Sequence, residues 1–309
     1  MSPQKTAPDW LRFRTHVEPH RVLEALGPMF GEFGAYLALG KPQRGILGFQ
    51  QAQPVLCGTM PIGRVDYGGE SQRGWFRWDI PGQGCQWVRD WEAVEELAEL
   101  PETELRRADI ALTTWRGEVT HERVVEAHGA GAFITNGRPP KMRQIVSSDP
   151  KDGRTCEIGV RDGSTKFGRF YEKGRKWAAE SAFDLVEIDG CPVEGIYRSE
   201  IEYKAQREVP LTWDLISRRD EYFAGSYPFC AEILPGVEPE ILKGLPESRV
   251  RRTLASALEV CKAQFGATLY TALHAYEGDI GAVFGRIVGD RHNVSLLEAG
   301  VLMVDHVAE

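Results

Sequence analysis

The chain has 309 residues, of which 42% are hydrophobic and 27% charged, a composition typical of a soluble globular protein. The segment MSPQKTAPDW lacks the apolar stretch of a secretory signal, and no apolar run approaches the length of a membrane span. Six widely spaced cysteines without a C-x-x-C pair argue against a disulfide framework or a zinc site. We therefore expect a cytoplasmic protein without membrane contact, built as one large domain or two smaller ones.

The formal net charge of −8 counts against a protein that coats nucleic acid, but the charge is unevenly distributed. Residues 138–176 contain 11 Lys and Arg against 5 Asp and Glu, which leaves a local excess of +6. A basic surface on an acidic protein can contact phosphates without coating DNA non-specifically. A DNA-binding function is therefore weakened by the total charge but supported by this segment.

The first half of the chain contains strand, helix and loop patterns. Residues 9–11 can open a short strand, residues 19–30 have helical spacing, and the glycine- and proline-rich residues 40–63 predict a loop. The remaining predicted elements are a strand over 74–81, a turn at 82–85, a helix over 90–100, a strand over 105–115, a helix over 120–127 capped by Thr120, and a strand over 144–147.

Residues 153–176, GRTCEIGVRDGSTKFGRFYEKGRK, are predicted to form two strands joined by a turn at 162–164. Because strand side chains alternate between faces, Arg169, Tyr171 and Lys173 would share one face. Both cations would favour a phenolate and lower the pKa of Tyr171, and both could hold a phosphate. This pattern suits a tyrosine that attacks a phosphodiester, although a half-exposed strand with a hydrated polar face would look the same.

The second half begins with a predicted helix or lid over 176–185, a turn at 189–192, a strand over 196–204 and a helix over 212–223 capped by Thr212. Four prolines between residues 228 and 246 mark the best candidate boundary. We therefore predict a first domain over residues 1–232 and a helical C-terminal region over 233–309. Its helices are predicted from a cap at Ser248 to a stop at Gly266, then over 268–276, 280–287 and 295–304.

Three of the predicted strands present polar faces that would lie together if the strands are neighbours in one sheet. The residues concerned are Arg107, Asp109, Arg169, Tyr171, Lys173, Arg198, Glu200 and Glu202. Carboxylates such as Asp109, Glu200 and Glu202 suit Mg²⁺ or Mn²⁺. The alternative is a solvated sheet face with cross-strand ion pairs, each worth about 0.2–1 kcal/mol.

The hairpin over 153–176 resembles the central motif of the replication initiation factor family (Rep-trans type) of rolling-circle plasmids and filamentous phages. RRADIAL is similar to the family's R-x-D strand, YRSEIEYK to its R-x-E-x-E strand, and LTWDLISRRDEYFAGSYPF to the segment that follows. Asp9-Trp10 and the GQGC at residues 82–85 resemble the phage branch in particular. The resemblance covers roughly residues 9–265.

The resemblance implies an α+β fold, a variant of the relaxase or ferredoxin-like fold, in which helices cover one face of an antiparallel sheet and a helical region follows. It implies a site-specific endonuclease and strand transferase that starts rolling-circle replication through a 5′-phosphotyrosyl intermediate. Tyr171 would be the nucleophile, Arg169 and Lys173 phosphate contacts, and Asp109, Glu200 and Glu202 the metal ligands. Other cations at these strands are candidate DNA contacts: Arg161, Lys166, Arg175, Lys176 and Arg198.

This chain departs from the family pattern at two positions. Thr113 stands where a second acid is often found, and Glu157 where a tyrosine or an apolar residue is usual. The metal geometry is therefore expected to differ, with Glu200 or Glu202 carrying more of the coordination. The implied partners are double- and single-stranded origin DNA, a host helicase and polymerase, and a second copy in a homodimer.

Two other functions also fit the sequence. One is a non-catalytic DNA-binding regulator on the same fold, as Thr113 suggests. The other is a single-strand nucleic-acid binder that stacks bases on Trp75, Phe76 and Trp78. Strand alternation places Trp75 on the opposite face from Phe76 and Trp78, which disfavours a continuous stacking row.

Overall fold

A computed structural model describes residues 4–206, 209–243 and 246–298. The chain divides into two compact units, residues 1–242 and 243–309. Among the described residues, no helix is long and apolar enough to cross a membrane.

The first unit is built on an antiparallel sheet of eleven strands in the order β2-β4-β5-β6-β1-β7-β13-β10-β9-β8, with β3 paired to β4. The strands are β1 (Ala7–Thr15), β2 (Leu37–Leu39), β3 (Gln43–Arg44), β4 (Gln51–Cys57), β5 (Met60–Tyr67), β6 (Phe76–Pro81), β7 (Glu104–Thr114), β8 (Met142–Val146), β9 (Arg154–Ile158), β10 (Lys166–Tyr171) and β13 (Tyr197–Lys204). Two short strands, β11 (Glu187–Ile188) and β12 (Cys191–Pro192), form a separate hairpin.

One face of the sheet is apolar and carries the core. Leu11, Ile110, Phe170 and Ile201 are fully buried on this face. They come from four neighbouring strands, and the pairing register together with side-chain alternation places all four on the same side of the sheet. Phe133 and Phe229 cover Phe170 with ring centroids 5.2 and 6.0 Å away. The opposite face is polar, so the side chains that could do chemistry lie together on it.

The helices of the first unit are α1 (Pro19–Leu26), α2 (Gly82–Cys85), α3 (Val94–Ala98), α4 (His121–Gly129), α5 (Lys173–Glu180), α6 (Asp214–Ser217), α7 (Arg219–Ser226) and α8 (Pro228–Ile233). The hydroxyl of Thr120 caps α4 by accepting a hydrogen bond from the backbone N–H of Arg123, as predicted. The α+β fold class, with an antiparallel sheet and helices, is confirmed.

Several predicted elements are wrong in extent. Residues 40–63 are not a loop, because β3, β4 and the first half of β5 lie there. The GQGC turn is the short helix α2, the helix predicted over 90–100 is reduced to α3, and the helix predicted over 212–223 is broken at Arg218 into α6 and α7. Strand β10 ends at Tyr171, so Lys173 begins α5 and does not continue the strand.

The second unit contains α9 (Pro246–Ala275), α10 (Ile280–Ile287) and α11 (Val294–Glu298). Helix α9 runs on past Gly266, where a stop was predicted, and Ser248 lies inside it rather than at its N-cap. Helix α10 has the predicted bounds. The last predicted helix, residues 295–304, overlaps α11 and otherwise lies outside the described residues.

The first unit ends at Leu242, whereas the predicted boundary lies after residue 232. Assignment of residues 1–232 as a catalytic domain stays a prediction.

Candidate active site

The three strands with polar faces are neighbours in the sheet, in the order β7-β13-β10. Asp109 lies opposite Glu202, Arg169 opposite Glu200, and Tyr171 opposite Arg198. Residues in register on adjacent strands point to the same face. The sheet therefore brings together the predicted nucleophile, the three acids and two of the predicted cations.

Tyr171 is held by a buried carboxylate. Its hydroxyl donates a hydrogen bond to Oε2 of Glu200 over 3.2 Å, and the Arg169 guanidinium forms an ion pair with Oε1 of the same carboxylate. The Tyr171 side chain is largely covered, with 9% of its surface exposed, and Glu200 is 1% exposed. The hydrogen bond places the Glu200 carboxylate where it could accept the phenol proton.

The pKa of Tyr171 is raised above its ordinary value, so the predicted lowering by Arg169 and Lys173 is wrong. Burial is the main cause, and the nearby carboxylate of Glu200 adds to it. Arg198 and Arg169 lower the pKa, but by less. Tyr171 is therefore a neutral phenol at pH 7, and it needs a base to become a nucleophile.

Lys173 reaches the tyrosine from the helix, not from the strand. As the first residue of α5 it places Nζ 5.8 Å from the centroid of the Tyr171 ring and 4.9 Å from that of Trp177. Burial, followed by the cations of Arg198 and Lys176, lowers the pKa of Lys173 to about 8. Lys176, a predicted DNA contact, also lies 5.8 Å from the Tyr171 ring.

The predicted metal ligands are all held by cations. Arg107 forms a two-pronged contact with Asp109, its Nε 2.7 Å from Oδ1 and its Nη2 2.5 Å from Oδ2. Glu202 pairs with Arg107 at 2.8 Å and with Lys204 at 2.6 Å. Burial raises the pKa of Asp109 to about 7, and Glu200 and Glu202 add to this against the lowering influence of Arg107.

No group of three or more His, Cys, Asp or Glu side chains in the described part of the chain is arranged to hold a metal ion. Arg107, Arg169, Tyr171 and Lys204 contact the carboxylate oxygens that would coordinate it, so a metal could bind here only by displacing these side chains. Binding of Mg²⁺ or Mn²⁺ by Asp109, Glu200 and Glu202 stays a prediction.

Asp9 belongs to this site although the sequence did not indicate it as a site residue. It lies at a β-bulge, where the pairing of β1 with β7 shifts between Pro8 and Trp10. Its Oδ1 accepts from the Arg198 guanidinium at 2.9 Å, while Nε of Arg198 donates to Oγ1 of Thr113 at 3.0 Å. An acid from β1 thus lies near Thr113, the position at which the family pattern has its second acid.

The approach of Asp9 depends on the GQGC segment. A Cβ atom on Gly82 would lie 2.9 Å from Oδ1 of Asp9, closer than real Cβ contacts allow. A side chain at residue 82 would therefore press on the Asp9 carboxylate that pairs with Arg198. The signal in the sequence was the pair of Asp9-Trp10 and GQGC, which the resemblance noted without a role for either.

The predicted DNA contacts are not all on the polar face. Arg161 is 45% exposed and pairs with Glu202 at 2.9 Å. Arg198 is 14% exposed and anchored by Asp9. Arg175 lies on α5, 4.0 Å from Glu194. Lys166 donates to the backbone carbonyl of Ser226 and lies over the Tyr227 ring, on the side of the sheet that carries the core, so the structure separates it from the other four.

A polar sheet face with a buried tyrosine, carboxylates and arginines is a site suited to phosphodiester chemistry. The model of the replication initiation factor family matches residues 103–240, which contain β7, β10 and β13. This match confirms the resemblance to that family predicted from the sequence. The phage branch stays a prediction.

The fold is also similar to a solved one, described as the structure of the rolling circle replication initiator protein from Geobacillus stearothermophilus. The TM-score is 0.50 and the sequence identity 20%, with 72% of this chain and 83% of that chain covered. At this identity the similarity shows the fold alone. No protein of curated function matches the chain.

Proposed function

We propose that this chain initiates rolling-circle replication by cutting one strand of origin DNA with Tyr171 as the nucleophile. The hydrogen bond from the Tyr171 hydroxyl to the buried Glu200 carboxylate is the observation that supports this most directly. The family match over residues 103–240 adds the replication role. DNA nicking and strand transfer are the chemistry that such a site can perform.

In the proposed reaction, the Tyr171 oxygen attacks the scissile phosphorus and its proton passes to Oε2 of Glu200. The bond from phosphorus to the 3′ oxygen breaks, the 3′ oxygen takes a proton from water, and the 5′ phosphate stays on the tyrosine. When Glu200 is protonated, Arg169 loses its counter-charge. Its guanidinium then attracts the phosphate more strongly while negative charge develops there, which favours the transition state.

Lys173 supplies a second cation from α5. In the reverse step a 3′ hydroxyl attacks the phosphotyrosine and gives its proton to hydroxide or water. The bond from phosphorus to the Tyr171 oxygen breaks, Glu200 returns its proton to the leaving phenolate, and the new bond to the 3′ oxygen joins the strand. The free 3′ end is the primer that a polymerase would extend, with a helicase opening the duplex. The proposal also includes the use of this polymerase and helicase and action as a homodimer. It further includes plasmid or phage DNA as the target and dependence on Mg²⁺ or Mn²⁺.

The test is covalent adduct formation on supercoiled DNA that carries the origin, read by denaturing gel and mass spectrometry. We expect Tyr171→Phe to abolish nicking and the adduct, and Glu200→Gln to slow both by about 10²–10⁴-fold, the usual worth of a general base. Glu157→Gln is the matched control, because Glu157 lies opposite Arg169 on β9 and pairs with Arg143 at 3.3 Å.

Undiminished nicking by Tyr171→Phe would remove this residue from the mechanism. Binding of origin DNA by the wild-type protein without any adduct would indicate a DNA-binding regulator instead. A Glu157→Gln variant as slow as Glu200→Gln would show that loss of any acid on this face is disruptive, and that Glu200 has no particular role as a base.

A further inference from the structure

A second feature of the polar face is a groove away from Tyr171, lined by residues of β1, β6 and β7, the end of β13 and the segments next to these strands. It encloses about 350 Å³. One wall consists of cations: Arg12, Arg14, Arg77, Arg106 and Lys204. The other wall is made by the segment before β4 and by the residue before β6: Leu47, Phe49 and Trp75. No acidic side chain is among the described residues that line it.

Buried acids beneath the groove fix its arginines. Asp79, 7% exposed, accepts from Nε and Nη2 of Arg12 at 3.1 and 3.0 Å. Arg77 bridges Asp66 and Asp79 at 2.6 and 2.5 Å, and Asp66 is fully buried. A guanidinium has five N–H donors, and a carboxylate uses two or three of them. The acids therefore orient the cations, whose exposed edges still face the groove.

Positive charge is in excess at the centre of the cationic wall. Arg14 and Arg106 share one carboxylate oxygen of Glu104, at 2.8 and 3.5 Å. Burial and the neighbouring cation of Arg14 lower the pKa of Arg106. Like charges held this close are relieved by an anion, and two guanidinium groups on one wall match the oxygens of a phosphodiester.

The facing wall has the opposite chemistry. Leu47 is 71% exposed and has a backbone φ of 54°, a left-handed conformation that is uncommon for a residue with a bulky side chain. Strained positions of this kind are concentrated at binding and catalytic sites. Phe49 and Trp75 are half-buried beside it, and the Arg14 guanidinium lies 4.2 Å from the Trp75 ring centroid. Apolar and aromatic side chains next to cations suit unpaired bases attached to phosphates.

We propose that this groove binds single-stranded DNA that flanks the cleavage site, with phosphates on the cationic wall and bases against Leu47, Phe49 and Trp75. The aromatic wall favours a single strand over a duplex, because paired bases cannot present their faces to it. The choice of DNA over RNA rests on the function proposed above. Trp75, one of the three predicted stacking residues, is in the groove, whereas Trp78 is fully buried.

The groove is too far from Tyr171 to take part in the chemistry. On β7, Arg107 lies opposite Arg12 of β1, and Thr113, six residues further on, lies opposite Arg198 of β13, which in turn lies opposite Tyr171 of β10. From β1 to β10 there are three strand spacings. Three strand spacings across the sheet and six residues along it correspond to about 14 and 20 Å, or roughly 25 Å in total. The groove would thus hold the strand several nucleotides from the nick, and its loss should weaken binding without changing the chemical step.

The experiment measures binding of a fluorescein-labelled dT 20-mer to the full chain by anisotropy as a function of salt. We expect Arg14→Gln/Arg106→Gln to reduce the salt slope by about 1.4, because each phosphate contact to a single strand contributes about 0.7. If the affinities of the wild-type protein and the double variant become equal at 1 M salt, this difference in slope makes the variant bind about 25-fold more weakly at 0.1 M salt. Phe49→Ala should weaken binding about fivefold or more with an unchanged slope, since one stacked base is lost.

The matched control is Arg123→Gln, because Arg123 is 39% exposed and paired with Glu232, much as Arg14 is 35% exposed and paired with Glu104. Arg123 lies on α4, which packs on the apolar face. The Arg123→Gln variant should therefore bind the 20-mer with the affinity of the wild-type protein. Melting temperatures of all variants establish that they fold.

Binding by the folded double variant equal to that of Arg123→Gln would overturn the proposal. If the double variant lost as much affinity for a 20-bp duplex as for the dT 20-mer, the groove would be a duplex-binding surface. If the wild-type protein bound a U 20-mer more tightly than the dT 20-mer, the groove would be an RNA site. Either result also overturns the proposal. The adduct assay is scored separately. Groove-dependent binding without an adduct would reject Tyr171 chemistry alone, whereas adduct formation with groove-independent binding would reject the groove alone.

Discussion

Lys173 and Lys166 have similar acid–base properties but face opposite sides of the sheet. Burial lowers the pKa of each to about 8. Lys173 lies beside the Tyr171 ring, whereas Lys166 donates to the Ser226 carbonyl among the helices. A cation that contacts the scissile phosphate must be protonated during cleavage, so only the titration of Lys173 should affect the reaction.

We expect the rate of adduct formation to fall as the pH rises above about 8. Below that pH Lys173 is mostly an ammonium ion, and above it the protonated fraction falls about tenfold per pH unit, so the phosphate contact is progressively lost. Lys173→Arg keeps its charge throughout this range, since the guanidinium pKa exceeds 12. The variant should therefore retain activity and show no decline up to pH 10 in single-turnover measurements at constant ionic strength.

Lys166→Arg is the control, and it should keep the alkaline decline of the wild-type protein. Persistence of the decline in Lys173→Arg would show that another group titrates near pH 8. Loss of activity at every pH in that variant would instead indicate that Lys173 transfers a proton, because an arginine holds its proton too tightly to do so.

At the scale of single elements, alternation of side chains predicted which residues of β7, β10 and β13 share the polar face. It could not show where β10 ends. The strand stops because the chain turns at Glu172 and starts α5, where Gly174 packs so tightly that a Cβ would meet the Val193 carbonyl oxygen. That packing comes from residues distant in sequence, so the place of Lys173 was not predictable from alternation alone.

The strands β4 and β5 were missed for a related reason. Pro54, Gly58 and Gly63 made residues 40–63 look like a loop. In the structure Gly58 has φ 61° at the hairpin turn, and Gly63 lies where a Cβ would be 2.6 Å from the carbonyl oxygen of Asp79. The bulge at Asp9 was equally hidden, because its effect depends on pairing between β1 and a strand about 100 residues away.

Helix α9 gives a prediction at the same scale. Gly266 does not end the helix, and a Cβ there would meet only the Lys262 side chain, at an ordinary 3.7 Å. Gly266→Ala should therefore stabilise α9 by about 0.5–1 kcal/mol, because alanine loses less backbone entropy in a helix. Urea unfolding followed by circular dichroism measures the change.

The contrasting variant is Gly225→Ala in α7, where a Cβ would lie 1.8 Å from the Glu240 carbonyl oxygen. It should destabilise the first unit, since a backbone atom must move to make room. Destabilisation by Gly266→Ala would indicate that the helix ends near Gly266 after all, with the glycine in a conformation that alanine disfavours.

At the scale of the whole molecule, the hydrophobic core lies within the first unit. The buried cluster runs from Leu11 to Leu234, and the half-buried residues that pack against it extend to Leu242. All of the site residues discussed above are also within residues 1–242. The first unit thus holds both the core and the candidate site residues, and it has the size of an independently stable domain.

A chain that ends at residue 242 should therefore fold and form the tyrosyl adduct at a rate close to that of the full chain. A chain that ends at residue 232, the boundary predicted from the sequence, should be less stable by about 2–5 kcal/mol or more, because it loses Leu234 from the core. It also loses the ion pair of Glu240 with Arg218, at 3.3 Å, and the backbone hydrogen bond from Glu240 to Glu221. Thermal melts and adduct gels on the two truncated chains decide between the boundaries. Equal stability of the two chains would place the end of the domain at residue 232. Failure of both chains to fold would mean that the first unit needs residues 243–309.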